Sequence, residues 1–119
     1  MRIISFAWTT PAVRAKVKTC TRREWDDAYA ARFNAGNLLA GYDRNPRFHG
    51  QQITVVRLTC KPYKEPYCRV PATDWQAEGF AHLEQLGATV HGMTPGQFWQ
   101  QWLDSPLEKT CFVVRFEYV

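Results

Sequence analysis

Residues Gln51 to Lys61 constrain the fold of this chain most. Ile53 and Val55 on one face, and Val56, Leu58 and Cys60 on the other, are β-formers, so the segment reads as a strand. Thr110 to Val119 reads as a second one. There Cys111, Val113, Arg115 and Glu117 alternate with Phe112, Val114, Phe116 and Tyr118, the period of two that a strand imposes. Arg2 to Trp8, β-branched and aromatic, and Asn37 to Tyr42 supply two more.

Helix signals fall between these strands. Thr9-Thr10-Pro11 starts a short helix that covers Ala12 to about Lys16, with a Thr cap and Pro in the first turn. Trp25, Tyr29 and Phe33 recur at i, i+4 and i+8, which predicts a helix from Glu24 to Phe33 that stops at Asn34-Ala35-Gly36. Asp74 to Leu86 is helical but interrupted by Gly79. A last helix starts at Thr94-Pro95, carries Phe98, Trp99, Trp102 and Leu103 on one face, and ends at Ser105-Pro106. Trp99 and Trp102 are assigned to the core. Asp43 to Gly50 is a turn-rich loop, and Pro62, Pro66 and Pro71 should keep the stretch after Lys61 out of regular structure. The expectation is a small α+β domain, its largely antiparallel sheet curled into a barrel with helices inserted and flanking.

At 119 residues the chain suits one domain that buries roughly two-thirds of its unfolded surface. No apolar run approaches the ~20 residues of a membrane span, and the N-terminal apolar stretch is too short for a signal peptide. A cytoplasmic protein is therefore expected. That compartment disfavours disulfides, so Cys20, Cys60 and Cys111, in apolar strand-like company, read as reduced core thiols. The spacing of the cysteines and of His49, His82 and His91 completes no zinc pattern, and no Gly-rich phosphate loop is present. Neither a metal nor a cofactor is expected. His49 and His82 read as surface rings, although His82 lies four residues after Glu78 and could orient it.

Charge is distributed unevenly. Residues 1–64 hold twelve Lys/Arg against four Asp/Glu, and residues 65–119 hold three against seven. Five cations (Arg14, Lys16, Lys18, Arg22 and Arg23) fall within ten residues that contain no acid. Charges this dense repel unless an anion lies opposite, so the segment is a candidate phosphate-binding surface.

Its residues also carry a resemblance. Lys16-Val17-Lys18-Thr19-Cys20-Thr21-Arg22-Arg23 resembles the Gly-x-Lys-x-x-Glu-x-Arg signature of the ASCH domains, in the PUA-like superfamily, where Thr is common in place of Glu. Lys18, Thr21 and Arg23 fall on the Lys, Glu/Thr and Arg positions, and Lys16 replaces the Gly. Ala35 to Leu39, Asp43 to Gly50, Asp74 to Phe80 and Thr110 to Tyr118 resemble later segments of the family in the same order. The resemblance thus implies one PUA-like domain over residues 1–119.

One bacterial branch of that family hydrolyses N4-acetylcytidine to cytidine and acetate with a Lys, a Thr and a Glu. The resemblance then implies Lys18 as base, Thr21 as nucleophile and Glu78 as proton donor. The chemistry is coherent, because a Thr hydroxyl needs a base to take its proton and the exocyclic amine leaves more readily once protonated. In a regular strand residues 18 and 21 point to opposite faces, so their cooperation requires a turn or bulge between them.

Two other classes stay open. In a non-catalytic RNA-binding module, Arg14, Lys16, Lys18, Arg22, Arg23, Arg44 and Arg47 would contact phosphates. Trp75, Trp8 or Tyr42 would then stack on bases. Ribonuclease activity, also found in the family, is the third. Trp75, close to Glu78, is the ring most expected to stack on a ligand.

Overall fold

The computed structural model describes residues 1–119 and contains six strands in one sheet. They are β1 (Arg2–Ser5), β2 (Cys20–Arg23), β3 (Leu38–Tyr42), β4 (Gln52–Leu58), β5 (Tyr63–Pro66) and β6 (Thr110–Tyr118). The order across the sheet is β1-β3-β4-β6-β2, and β5 also pairs with β6. Four of the five pairings are antiparallel, but β1 runs parallel to β3, so the sheet is mixed. A parallel pair needs a long crossover, and residues 6–37 provide it.

The sheet curls into a half-barrel. Its edge strands β1 and β2 share no ladder; the Arg23 side chain links them instead, donating from Nη2 to Ser5 O at 2.7 Å. Ile4, Phe6, Val13, Phe33, Leu39, Val56, Leu58, Val114 and Phe116 pack inside the curl as the main core.

The expected strand over 51–61 ends at Leu58, and a further strand, β5, forms where prolines were expected to prevent one. Leu58 faces Phe116 and Tyr63 faces Val113, so five steps along β4 and β5 answer three along β6. Pro62 sits in that bulge. Pro66 closes β5 at a position whose nitrogen points away from β6, where a missing N–H leaves no gap in the ladder.

The helices are α1 (Thr10–Arg14), α2 (Asp27–Ala30), α3 (Asp74–Ala77), α4 (Phe80–Gln85) and α5 (Pro95–Leu103). The helix expected over 24–33 shrinks to the single turn of α2, because Asp26 caps it by accepting from Tyr29 N–H at 2.7 Å. Trp25 and Phe33 stack nonetheless, with centroids 4.6 Å apart. Thr94 and Gln97 form a reciprocal capping box at the start of α5. Gly79 separates α3 from α4 at φ +89°, and a Cβ there would lie 2.5 Å from Ala12 Cβ. Only glycine lets the α3–α4 corner press on α1 this closely.

Candidate active site

Lys18, Cys20 and Arg22 extend from one face of the β2 segment and all reach Glu78. Lys18 Nζ donates to Glu78 Oε1 at 3.1 Å and to its backbone oxygen at 2.8 Å. Cys20 Sγ lies 3.5 Å from Glu78 Oε2, and Arg22 Nη1 donates to that same oxygen at 2.7 Å. This alternation is unbroken, so no turn or bulge separates Lys18 from Thr21. Thr21 occupies the opposite face, as a regular strand requires. Its Oγ1 accepts from Arg23 Nε at 3.3 Å, and no hydrogen bond joins it to Lys18.

The two faces meet at the free edge of β2. A cavity of about 230 Å³ touches Thr21, Arg22 and Arg23 in succession, as well as Lys18 and Glu78, and touches no residue of β6 on the paired side. Ser5 to Thr9 wall one flank, and Tyr67, Phe80, Phe98 and Trp102 complete the lining. Trp8 stacks on Phe80 at 5.4 Å and meets Phe98 edge-on at 5.1 Å, so the wall is a continuous aromatic cluster. Lys18 and Thr21 thus border one cavity with no bulge between them.

The ionisable groups here are nearly all out of water. Lys18 is 1 % exposed and Glu78 2 %. Burial pushes the Lys18 ammonium below its ordinary lysine value against the opposing pull of Glu78, and the Arg23 charge adds to the lowering. Burial also opposes the charge on Arg22, but Glu78, Glu65 and Asp74 outweigh it and raise its pKa further. Its Nη2 donates to Glu65 Oε1 at 2.8 Å and to Asp74 Oδ2 at 2.7 Å, while its Nε has no partner. Arg115 grips Asp74 through both oxygens, at 3.1 and 2.9 Å. These two arginines overcome the burial of Asp74 and hold its carboxyl below the usual range. Cys20 is pushed up by burial and by Glu78, so it stays a thiol.

Several residues named from sequence stand elsewhere. Arg22, assigned to phosphate, is committed to three carboxylates inside the protein. Arg14, Lys16, Arg44 and Arg47 are exposed and outside the cavity; Arg14 lies 3.8 Å from Asp43. Trp75 also stands off the cavity, packed edge-on against Phe80 at 5.7 Å and Trp99 at 5.5 Å. Trp102, assigned to the core, forms part of the cavity wall, and the Arg22 guanidinium carbon lies 5.6 Å from its ring. His82 makes no hydrogen bond to Glu78 and borders a separate groove with Val17 and Gln76. Sequence reading passed over Asp74, Glu65 and Arg115, which brace Arg22 from behind. The one sequence signal for Asp74 and Glu65 is the acidic balance of the second half, and Arg115 has none.

Among the four cysteines none is paired, and Cys20 and Cys111 are buried, whereas Cys60 is half-buried. No helix is long and apolar enough to cross a membrane.

No protein-family model matches this chain, and no curated protein matches it. Among solved structures it is similar to protein EF3133 from Enterococcus faecalis V583, a DUF984 protein. The TM-score is 0.59 at 16% identity, over 100% of this chain and 81% of that one. At that identity the likeness concerns the fold.

Proposed function

We propose that this protein is an ASCH-type, PUA-like amidohydrolase that removes the acyl group from N4-acetylcytidine. The observation that carries the reading is the buried Lys18–Glu78 contact at 3.1 Å, which borders the same aromatic-walled cavity as Thr21. The volume of about 230 Å³ lies below the ~300 Å³ at which pockets for drug-sized ligands begin, so it suits one heterocycle with its sugar left outside.

Thr21 Oγ1 bonds to the acyl carbon, its proton passes to neutral Lys18 Nζ, and the carbonyl electron pair moves onto oxygen. The intermediate then collapses and the C–N bond breaks. The proton crosses from Lys18 to Glu78 Oε1 and on to the departing exocyclic nitrogen, releasing cytidine. Water attacks the acyl-Thr ester in the second half, giving one proton to Lys18, which passes it to the departing Thr21 Oγ1; acetic acid leaves and ionises to acetate in solvent. The lowered Lys18 pKa favours the neutral amine that the first step needs.

The purified protein should release cytidine and acetate from N4-acetylcytidine without added metal. Lys18→Ala and Thr21→Ala should each remove nearly all turnover, because base and nucleophile act as a unit. Lys18→Arg keeps the charge but cannot give up its proton, so it should be as inactive as Lys18→Ala. Full turnover in Lys18→Arg, or none in the wild type, overturns the reading.

A second reading, a non-catalytic RNA-binding module, is favoured by the exposed cations Arg14, Lys16, Arg44 and Arg47. Arg14 and Arg44 flank Asp43, where Thr10 Oγ1 also donates to Asp43 O at 3.4 Å and ties α1 to the basic loop.

A further inference from the structure

The pairing of β2 with β6 leaves a backbone donor beside Thr21 without a partner in the sheet. In an antiparallel pair, residues alternate between exchanging hydrogen bonds with the neighbour and turning both backbone groups away from it. Phe116 N–H donates to Thr19 O at 3.0 Å, which fixes the phase. Thr21 opposite Val114 and Arg23 opposite Phe112 are then bonded positions, whereas Cys20 and Arg22 face outward. The other edge of β6 gives the same answer. Arg115 O accepts from Thr59 N–H at 3.0 Å and Lys109 O from Tyr67 N–H at 3.1 Å. Odd-numbered residues of β6 therefore serve β4 and β5, and even-numbered ones serve β2.

No strand lies beyond β2, and the cavity occupies that edge at Thr21, Arg22 and Arg23. Cys20, the other outward-facing position, does not line it. The Arg22 N–H thus belongs to the residue directly after the nucleophile and faces the open edge. Its side chain is locked by Glu65, Asp74 and Glu78, which fixes the backbone at this point.

We propose that the backbone N–H of Arg22 is the oxyanion donor of the site, receiving the carbonyl oxygen of an acylated exocyclic amine. The assignment rests on the acyl-transfer reading above and adds its electrostatic component. As Thr21 Oγ1 forms its bond to carbon, the carbonyl π pair becomes negative charge on oxygen. A fixed N–H stabilises that charge with no reorganisation at the moment of reaction. Because three carboxylates already neutralise the Arg22 guanidinium, the position suits a neutral carbonyl rather than a phosphate.

The test replaces the Thr21–Arg22 amide by an ester through chemical synthesis with ligation at Cys20, which deletes this N–H and keeps the Arg22 side chain. The Arg22 N–H is outside the ladder, but the ester also weakens the Thr21 carbonyl that pairs with Val114, so thermal stability should fall only slightly and the protein should stay folded. An ester at the Arg23 nitrogen, which bonds to β6, should lower it further. The ester at Arg22 should reduce kcat on N4-acetylcytidine by about 100- to 1,000-fold with KM little changed. In the inactive Thr21→Val protein, N4-acetylcytidine should shift the Arg22 amide resonance and slow its hydrogen exchange. Undiminished kcat in the folded ester variant, or an Arg22 amide that saturating N4-acetylcytidine leaves unmoved, overturns the assignment while leaving the hydrolase reading to its own assay. A wild type without turnover sinks the hydrolase and the oxyanion role with it, whatever the Arg22 amide does.

Discussion

Gly79→Ala perturbs the contact on which the site geometry depends. Gly79 sits at φ +89°, and the added methyl would lie 2.5 Å from Ala12 Cβ and 3.4 Å from Lys18 Cβ. The backbone conformation alone costs an L-residue about 1–2 kcal/mol. Two carbons rest near ~3.5–4.0 Å, so α1 and the α3–α4 corner must separate by roughly 1 Å, an overpacking effect of about 1–3 kcal/mol. The sum, about 2–5 kcal/mol, is a large share of the ~5–15 kcal/mol that holds a typical domain folded.

Urea unfolding followed by Trp fluorescence measures it. With a slope of about 1–3 kcal/mol per molar, the midpoint should fall by roughly 1–3 M. The cause is separable by a double-mutant cycle, because Ala12→Gly removes the methyl that the new Cβ meets. The Ala12→Gly/Gly79→Ala protein should recover about 1 kcal/mol or more relative to additivity, while the backbone part of the penalty persists. An additive cycle, or a Gly79→Ala midpoint within about 0.3 M of the wild type, would refute close packing of α1 against this corner. The same displacement pulls Glu78 from Lys18, so turnover should fall in Gly79→Ala and return in part with Ala12→Gly.

Stability should decline at both ends of the pH range. Asp74 has a folded pKa below its unfolded one, so its contribution is present above about pH 4 and is lost as pH falls through the folded value. Asp74→Asn should flatten that acid limb in a pH series of melting temperatures. Cys111 is pushed up to about 12 by burial, and Cys20 is raised as well, so their contribution is whole below about pH 8.5 and is lost as pH rises towards those values. Cys20→Ala should flatten the alkaline limb. If the exposed cations meet RNA, the affinity should fall with salt on a log–log line. Replacing Arg14, Arg44 and Arg47 by Ala should flatten that slope by about one unit per lost contact, and an unchanged slope would return them to a solvated face.

Lys18, Thr21 and Glu78, singled out in the chain through the family resemblance, border one cavity in the fold. The strand at 110–118 and the helix at Pro95 were legible, since two-residue alternation and a Thr-Pro start are local signals. β5 was not, because whether a proline interrupts a ladder depends on which way its nitrogen faces, and that direction comes from the register with β6. The parallel pairing of β1 with β3 likewise depends on where a crossover returns.

The fate of Arg22 separates the two levels most clearly. In sequence it is one of five neighbouring cations. In the fold it faces Glu65, Asp74 and Glu78, residues 43, 52 and 56 positions away, and leaves the solvent altogether. The chain by itself supplied the residue types and the local strand and helix signals, because these are properties of the chain. Only the tertiary structure decided that β2 is an edge strand. Strand order is set by long-range pairing, and it is the missing neighbour at that edge that lets residues from opposite faces open onto one cavity.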